Sequence, residues 1–228
     1  MMNRTLLLIL VVAACGDDGS SSPALPAACN PLGGEGCLLP WPSLSYMKAD
    51  PATATGYRLD LPIEAMPMNG DQHAIDPAPL DARWDGFSPT GPLLAMFPKG
   101  VAPDGLPSWK TPDHSLAAAS PIVVLDLDRG ERAAFFAEVD QNVLDPTSRA
   151  LVIRPLMRLH EKTHYAVAIR NTVKSADGSE LPISPGFAAL RDGKRFDHPR
   201  FAAMAARAAP APATDGTAGD APWRQPNE

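Results

Sequence analysis

Proline sets the tightest limit on what this chain can become. It has 26 prolines in 228 residues, and each fixes φ near about −65° and lacks an N–H. Long helices and central strands tolerate neither property, so short, edge-like strands joined by many turns are expected. Runs of such strands point to an all-β fold.

The first fifteen residues carry a second constraint. Arg4 precedes the apolar run Leu6 to Ala14, which ends in small residues before Cys15. That pattern reads as a secretory signal peptide over residues 1–14. It is too short for a spanning helix, which needs about 20 apolar residues. Val12-Ala13-Ala14-Cys15 also looks like a bacterial lipobox, with Val12 where leucine is commonest. Cys15 is then the lipidated N-terminus, and its acyl chains make the membrane a partner. Gly16, in place of an aspartate, favours the outer over the inner membrane of the bacterial envelope. Residues 15–37 are expected to form a lipid-anchored tether, flexible over its Gly-, Ser- and Pro-rich part.

The formal net charge is −6, and loss of Arg4 makes it more negative. With no block of Lys or Arg, nucleic acid is not an expected partner. Cys29 and Cys37 flank a glycine-rich loop. In an oxidising compartment they are expected to pair as a disulfide, whose loss would loosen the tether more than the core.

From Leu38 onward short apolar runs recur: Leu93–Phe97, Ile122–Leu127, Ala133–Val139, Leu151–Ile153, and Tyr165, Val167 and Ile169 in alternation. Asp128-Arg129-Gly130-Glu131 is a hairpin turn in which Gly130 supplies positive φ. Residues 38–193 are therefore expected to form an immunoglobulin-like β-sandwich with an extended N-terminal segment. Short helices are expected over Gly186–Arg191 and Arg200–Arg207. Residues 194–228 then form a short helix and a disordered Ala/Pro-rich tail.

One segment admits two chemistries. His160-Glu161-Lys162-Thr163-His164 is a literal H-E-x-x-H, in which two histidines on one helical face hold zinc and the glutamate polarises water. The strand-like alternation beginning at Tyr165 argues against a helix here. Lys162 would place a positive charge between the two ligands, and no third ligand follows: Glu180 lies beyond the Asp177-Gly178 turn and His198 in a weakly structured region. Leu159, Thr163 and Tyr165 instead fit a tyrosine corner, in which the phenol hydrogen-bonds upstream backbone at the entry to a late strand. No metal or other cofactor is expected. Ser45-x-x-Lys48 matches a hydrolase motif without its companions. Asp126 and Asp128 lack the further ligands of a calcium loop, and His73 and His114 are expected to be solvated.

Five segments taken in order extend the comparison: Leu39 to Ser43, Asp85 to Pro89, Leu151 to Leu156, Thr163 to Val167, and Asp177-Gly178. Over residues 38–193 the chain resembles the immunoglobulin-like N-terminal region of bacterial lipoprotein lipases, the virulence-factor lipase N-terminal family. In that family the esterase serine lies in a later α/β-hydrolase domain within G-x-S-x-G, a motif this sequence lacks, so no catalytic residue carries over. The resemblance implies a cell-envelope binding or accessory module, partnered by a hydrolase domain or another envelope protein, or a truncated lipase-type protein. The enzymatic alternatives are a zinc metallopeptidase using His160, Glu161 and His164, and part of an esterase.

Overall fold

The computed structural model describes residues 25–33 and 35–208. The signal peptide, Cys15 and the tail after Ala208 lie outside the described residues. Strands dominate: β1 (Met47–Ala49), β2 (Tyr57–Leu59), β3 (Leu93–Ala95), β4 (Ile122–Asp126), β5 (Glu131–Arg132), β6 (Phe135–Val139), β7 (Leu151–Pro155) and β8 (Tyr165–Ile169). Three short helices accompany them: α1 (Ala78–Asp81), α2 (Pro185–Arg191) and α3 (Phe201–Ala208). No described helix is long and apolar enough to cross a membrane.

The strands form three small antiparallel sheets, ordered β1-β2, β3-β7-β6 and β5-β4-β8. β4 alternates buried and half-buried residues along its length, as a strand with one core face must. Ile122 and Val124 enter the same apolar cluster as Leu151 and Ile153 of β7 and Phe135, Ala137 and Val139 of β6. The two three-stranded sheets therefore share one core.

The apolar run Ala133–Val139 is not one strand: β5 has ended at Arg132, β6 begins only at Phe135, and the two residues between them straddle two sheets. The Ala133 N–H donates to Val124 O of β4, whereas Ala134 O accepts from the Leu156 N–H just beyond β7, both at 2.9 Å. Consecutive residues thus bond to different sheets, and the chain changes layer between them. Before it, Gly130 closes the β4–β5 turn with φ +70°, a conformation that costs glycine little.

A second, smaller core gathers around Tyr46, Leu59 and Leu61, with Trp41 and Phe87 packed against it. Trp41 joins it to the larger body through reciprocal backbone bonds with Leu94 of β3, 2.9 and 2.7 Å long. The Trp41 and Phe87 rings meet edge to face at 4.9 Å, an arrangement the aromatic quadrupole favours.

The two ends of the described chain depart most from expectation. Cys29 and Cys37 are bonded, but their loop is packed, with Cys29 only 7% exposed. The buried Tyr46 hydroxyl donates to Cys37 O at 2.9 Å, and burial pushes its pKa up. The Asn30 side-chain amide donates to Pro40 O at 2.7 Å. Ser184 caps α2 by accepting from the Phe187 N–H and donates the same hydroxyl to Leu32 O at 2.7 Å. These bonds tie the loop into the fold, so losing the disulfide would disturb the core as well as the segment before it. His198, expected in a weakly structured region, is buried, with Nε2 3.1 Å from Pro26 O. α3 packs on the 3₁₀ turn Leu44–Tyr46. Two arginines secure it: Arg200 bonds Ser45 O and Asp60 O, and Arg207 bonds Leu44 O and Met47 O. Both guanidinium groups lie over tyrosine rings, Arg200 over Tyr46 and Arg207 over Tyr57. α3, which follows residue 194, is thus anchored to the N-terminal half.

Candidate functional site

The polar groups that suggested chemistry converge at one corner, where the β4–β5 turn meets the segment leading into β8. Asp126 is its centre and is 3% exposed. Its carboxylate accepts from the Asp128 and Arg129 N–H groups at 3.1 and 2.9 Å, the Arg129 guanidinium at 2.9 Å and the Tyr165 hydroxyl at 3.2 Å. Burial alone would raise the Asp126 pKa, but the Arg129 hydrogen bonds outweigh it and hold the carboxyl below its usual range. A buried carboxylate needs such saturation to remain charged.

Tyr165 opens β8, and its hydroxyl accepts from the His160 N–H at 2.9 Å. The phenol is thus bonded to backbone five residues upstream and to the turn across the sheet. Burial pushes its pKa up. Leu159, half-buried, donates its N–H to Pro89 O at 2.9 Å. Thr163 donates its hydroxyl to Glu161 O at 3.0 Å and accepts from Arg129 at 3.2 Å.

Residues 160–164 form no helix, and Lys162 between the histidines has φ +52°. The i, i+4 geometry of a helical zinc site is therefore not built. His160 and His164 are exposed, Glu161 pairs with Arg158, and the His164 Nδ1 lies 3.2 Å from Asp128 Oδ1. Hydrogen bonds from the His164 N–H and ring hold the Asp128 carboxyl below its ordinary range. An Asp–His pair resembles part of a nucleophile-activating relay. The two hydroxyls of the corner are committed elsewhere: Thr163 donates to Glu161 O and Tyr165 donates to Asp126. No cluster of three His, Cys, Asp or Glu side chains suited to a metal occurs among the described residues.

A shallow pocket of about 190 Å³ adjoins the corner, lined in part by Asp126, Arg132, Arg158 and His160. Arg132 is turned onto Ala117 O at 2.6 Å. The other motif residues are apart. The Ser45 hydroxyl meets that of Ser43 in a buried turn, while Lys48 reaches Asp60 on the surface. His73, His114 and Glu180 are exposed and distant in sequence from one another.

In the sequence, Asp126 and Asp128 stand out as incomplete calcium ligands and Asp128 as the start of a hairpin turn. Their role here is to accept from turn N–H groups and from the Tyr165–His164 strand entry. The available signal was Asp-x-Asp-Arg-Gly itself, since aspartates before a glycine turn commonly accept backbone N–H groups.

Removing the phenol hydroxyl is expected to separate the two chemistries. Tyr165→Phe leaves the His160 N–H without its partner and should cost about 1–3 kcal/mol. His160→Ala and His164→Ala change exposed side chains and should each cost about 0.5 kcal/mol or less. Urea denaturation of the three variants measures the order. Stoichiometric zinc lost on mutating either histidine would restore the metallopeptidase reading.

Three comparisons with known proteins bear on this corner and its fold: no family model, curated protein or solved structure matches the chain.

Proposed function

We propose that this chain is a lipid-anchored envelope protein whose described part is an immunoglobulin-like sandwich, acting as a binding or accessory module without catalysis of its own. The observation carrying this reading is the consumption of the reactive-looking residues by the corner. Asp126 is saturated by donors, Tyr165 is shared between His160 N–H and Asp126, and Thr163 is committed to a carbonyl. A catalytic base or nucleophile must instead keep a reactive atom within reach of substrate. The two sheets sharing a core support the sandwich, and the bond from the His160 N–H to the Tyr165 hydroxyl at the start of β8 supports reading a tyrosine corner there.

The anchor follows from Val12 to Cys15 and places the module at a membrane surface, with a hydrolase or another envelope protein as the class of partner. Cys15→Ala is expected to abolish acylation and move the protein from the membrane to the soluble fraction. Two-phase detergent partitioning and metabolic labelling with a fatty acid measure it. A variant that remains membrane-bound to the parent's extent would overturn the anchor.

A further inference from the structure

One edge of the β5-β4-β8 sheet carries unused backbone. The Leu127 N–H bonds His164 O and the Arg170 N–H bonds Pro121 O, each at 2.9 Å. With the register Ile122↔Ile169 to Asp126↔Tyr165, residues 164, 166, 168 and 170 point their backbone groups at β4. Alternation then turns those of Tyr165, Val167 and Ile169 outward. Among the described residues these outward groups have no backbone partner. Val167 faces the same side as Tyr165 and Ile169, which pack on the core, yet it is 44% exposed. Its cross-strand neighbour Val124 is buried. The core is therefore incompletely covered at this edge, and β8 itself carries no charge, proline or bulge to block pairing.

We propose that β8 is a self-association surface, pairing antiparallel with β8 of a second copy across a two-fold axis through Val167. The strand is self-complementary under that operation. Tyr165-Ala166-Val167-Ala168-Ile169 alternates large and small in both directions, so Val167 meets Val167 and Tyr165 meets Ile169. These are the residues with outward backbone groups, and directly opposed residues of this kind exchange two N–H···O bonds per pair. The flanks are compatible in charge. The same register sets Arg170, one of whose guanidinium nitrogens donates to Ala118 O at 2.9 Å, opposite His164, whose ring lies on Asp128, so no two like charges oppose each other at either end. A two-fold interface of this kind is closed and limits the assembly to a dimer. The inference stands independently of the anchor and of the module's role.

The test uses the purified full-length chain. Sedimentation velocity is run up to roughly 1 mM, because a single strand pair lies at the small end of specific interfaces. A concentration-dependent monomer–dimer equilibrium is expected. In H-bonded antiparallel pairs Cα atoms lie about 5.5 Å apart, within disulfide reach. Under mild oxidation Val167→Cys should therefore give about tenfold more covalent dimer than Leu144→Cys, whose site is 93% exposed and far from the edge in sequence. Mixing Ala166→Cys with Ala168→Cys should yield more dimer than either alone, since those positions oppose each other across the axis. Val167→Lys should lower the dimer fraction about tenfold, a charge being the usual guard of a free edge, with circular dichroism and melting unchanged. A parent that stays monomeric throughout would overturn the proposal. So would Val167→Cys dimer at the Leu144→Cys level in chains that circular dichroism shows to be folded, or dimers that Val167→Lys leaves intact.

Discussion

Phe135→Ala is expected to cost about 3–5 kcal/mol, the range for deleting a fully buried aromatic ring. Phe135 has no exposed surface and stands at the first residue of β6, just after the chain has changed sheets. Its ring enters the core common to both sheets. Its N–H donates to the buried Ser115 hydroxyl at 3.1 Å, which in turn donates to Pro112 O at 2.7 Å. The backbone at this junction is thus held on one side, and the cavity left by the ring has limited freedom to collapse. Phe136, next in sequence, is half-buried on the opposite face and opposite Arg154. Phe136→Ala should cost about 1 kcal/mol. The midpoint of chemical denaturation compares the two, and equal costs would show that the sheets do not share a core at Phe135.

Gly186→Ala should reverse the usual sign of a helical substitution. Within a helix, alanine normally gains about 0.5–1 kcal/mol over glycine. At this position an added Cβ would collide with the Pro31 carbonyl of the disulfide loop and stand 3.3 Å from the Phe196 ring. The nearest obstacle is backbone in a stapled loop, so it cannot yield as a side chain would. A loss of about 2–3 kcal/mol is expected, as for overpacking elsewhere in proteins. It should be accompanied by faster proteolysis within residues 25–37. A stabilised variant would show that the loop does not rest on α2.

These two sites mark what was and was not legible beforehand. β4 and β6 could be read because each buries alternate residues within a short window, β7 because its apolar run Leu151–Ile153 is wholly buried, and β8 because Tyr165, Val167 and Ile169 alternate with Ala166 and Ala168. Leu159, Thr163 and Tyr165 could be singled out together because they lie within seven positions of one another. β1 escaped notice, since its three residues Met47–Ala49 are half-buried or exposed and carry little periodicity. The layer change between Ala133 and Ala134 was hidden inside one continuous apolar run, because hydrophobicity does not record which sheet a backbone bonds to. The contact between the two ends was the least accessible. It depends on Gly186 meeting Pro31, Ser184 meeting Leu32 and His198 meeting Pro26, residues more than 150 positions apart. Locally, the first stretch has the Pro and Ala texture of a linker and the second reads only as a short helix with polar flanks, and neither names the other as its partner. The corner's electrostatics were also hidden: Asp126 is a plain turn residue until the fold sets Tyr165 and the Arg129 guanidinium on its carboxylate.

The bond between His198 and Pro26 has a mechanical consequence. Two points 172 residues apart in the chain stand side by side. A pull exerted between them acts on that bond and on the Ser184–Leu32 bond beside it before it reaches any strand. The sheets are bypassed, their ladders lying outside the direct line of tension. The seam between the ends is thus the first element to part under load, and the β-rich body can stay folded while it opens and closes.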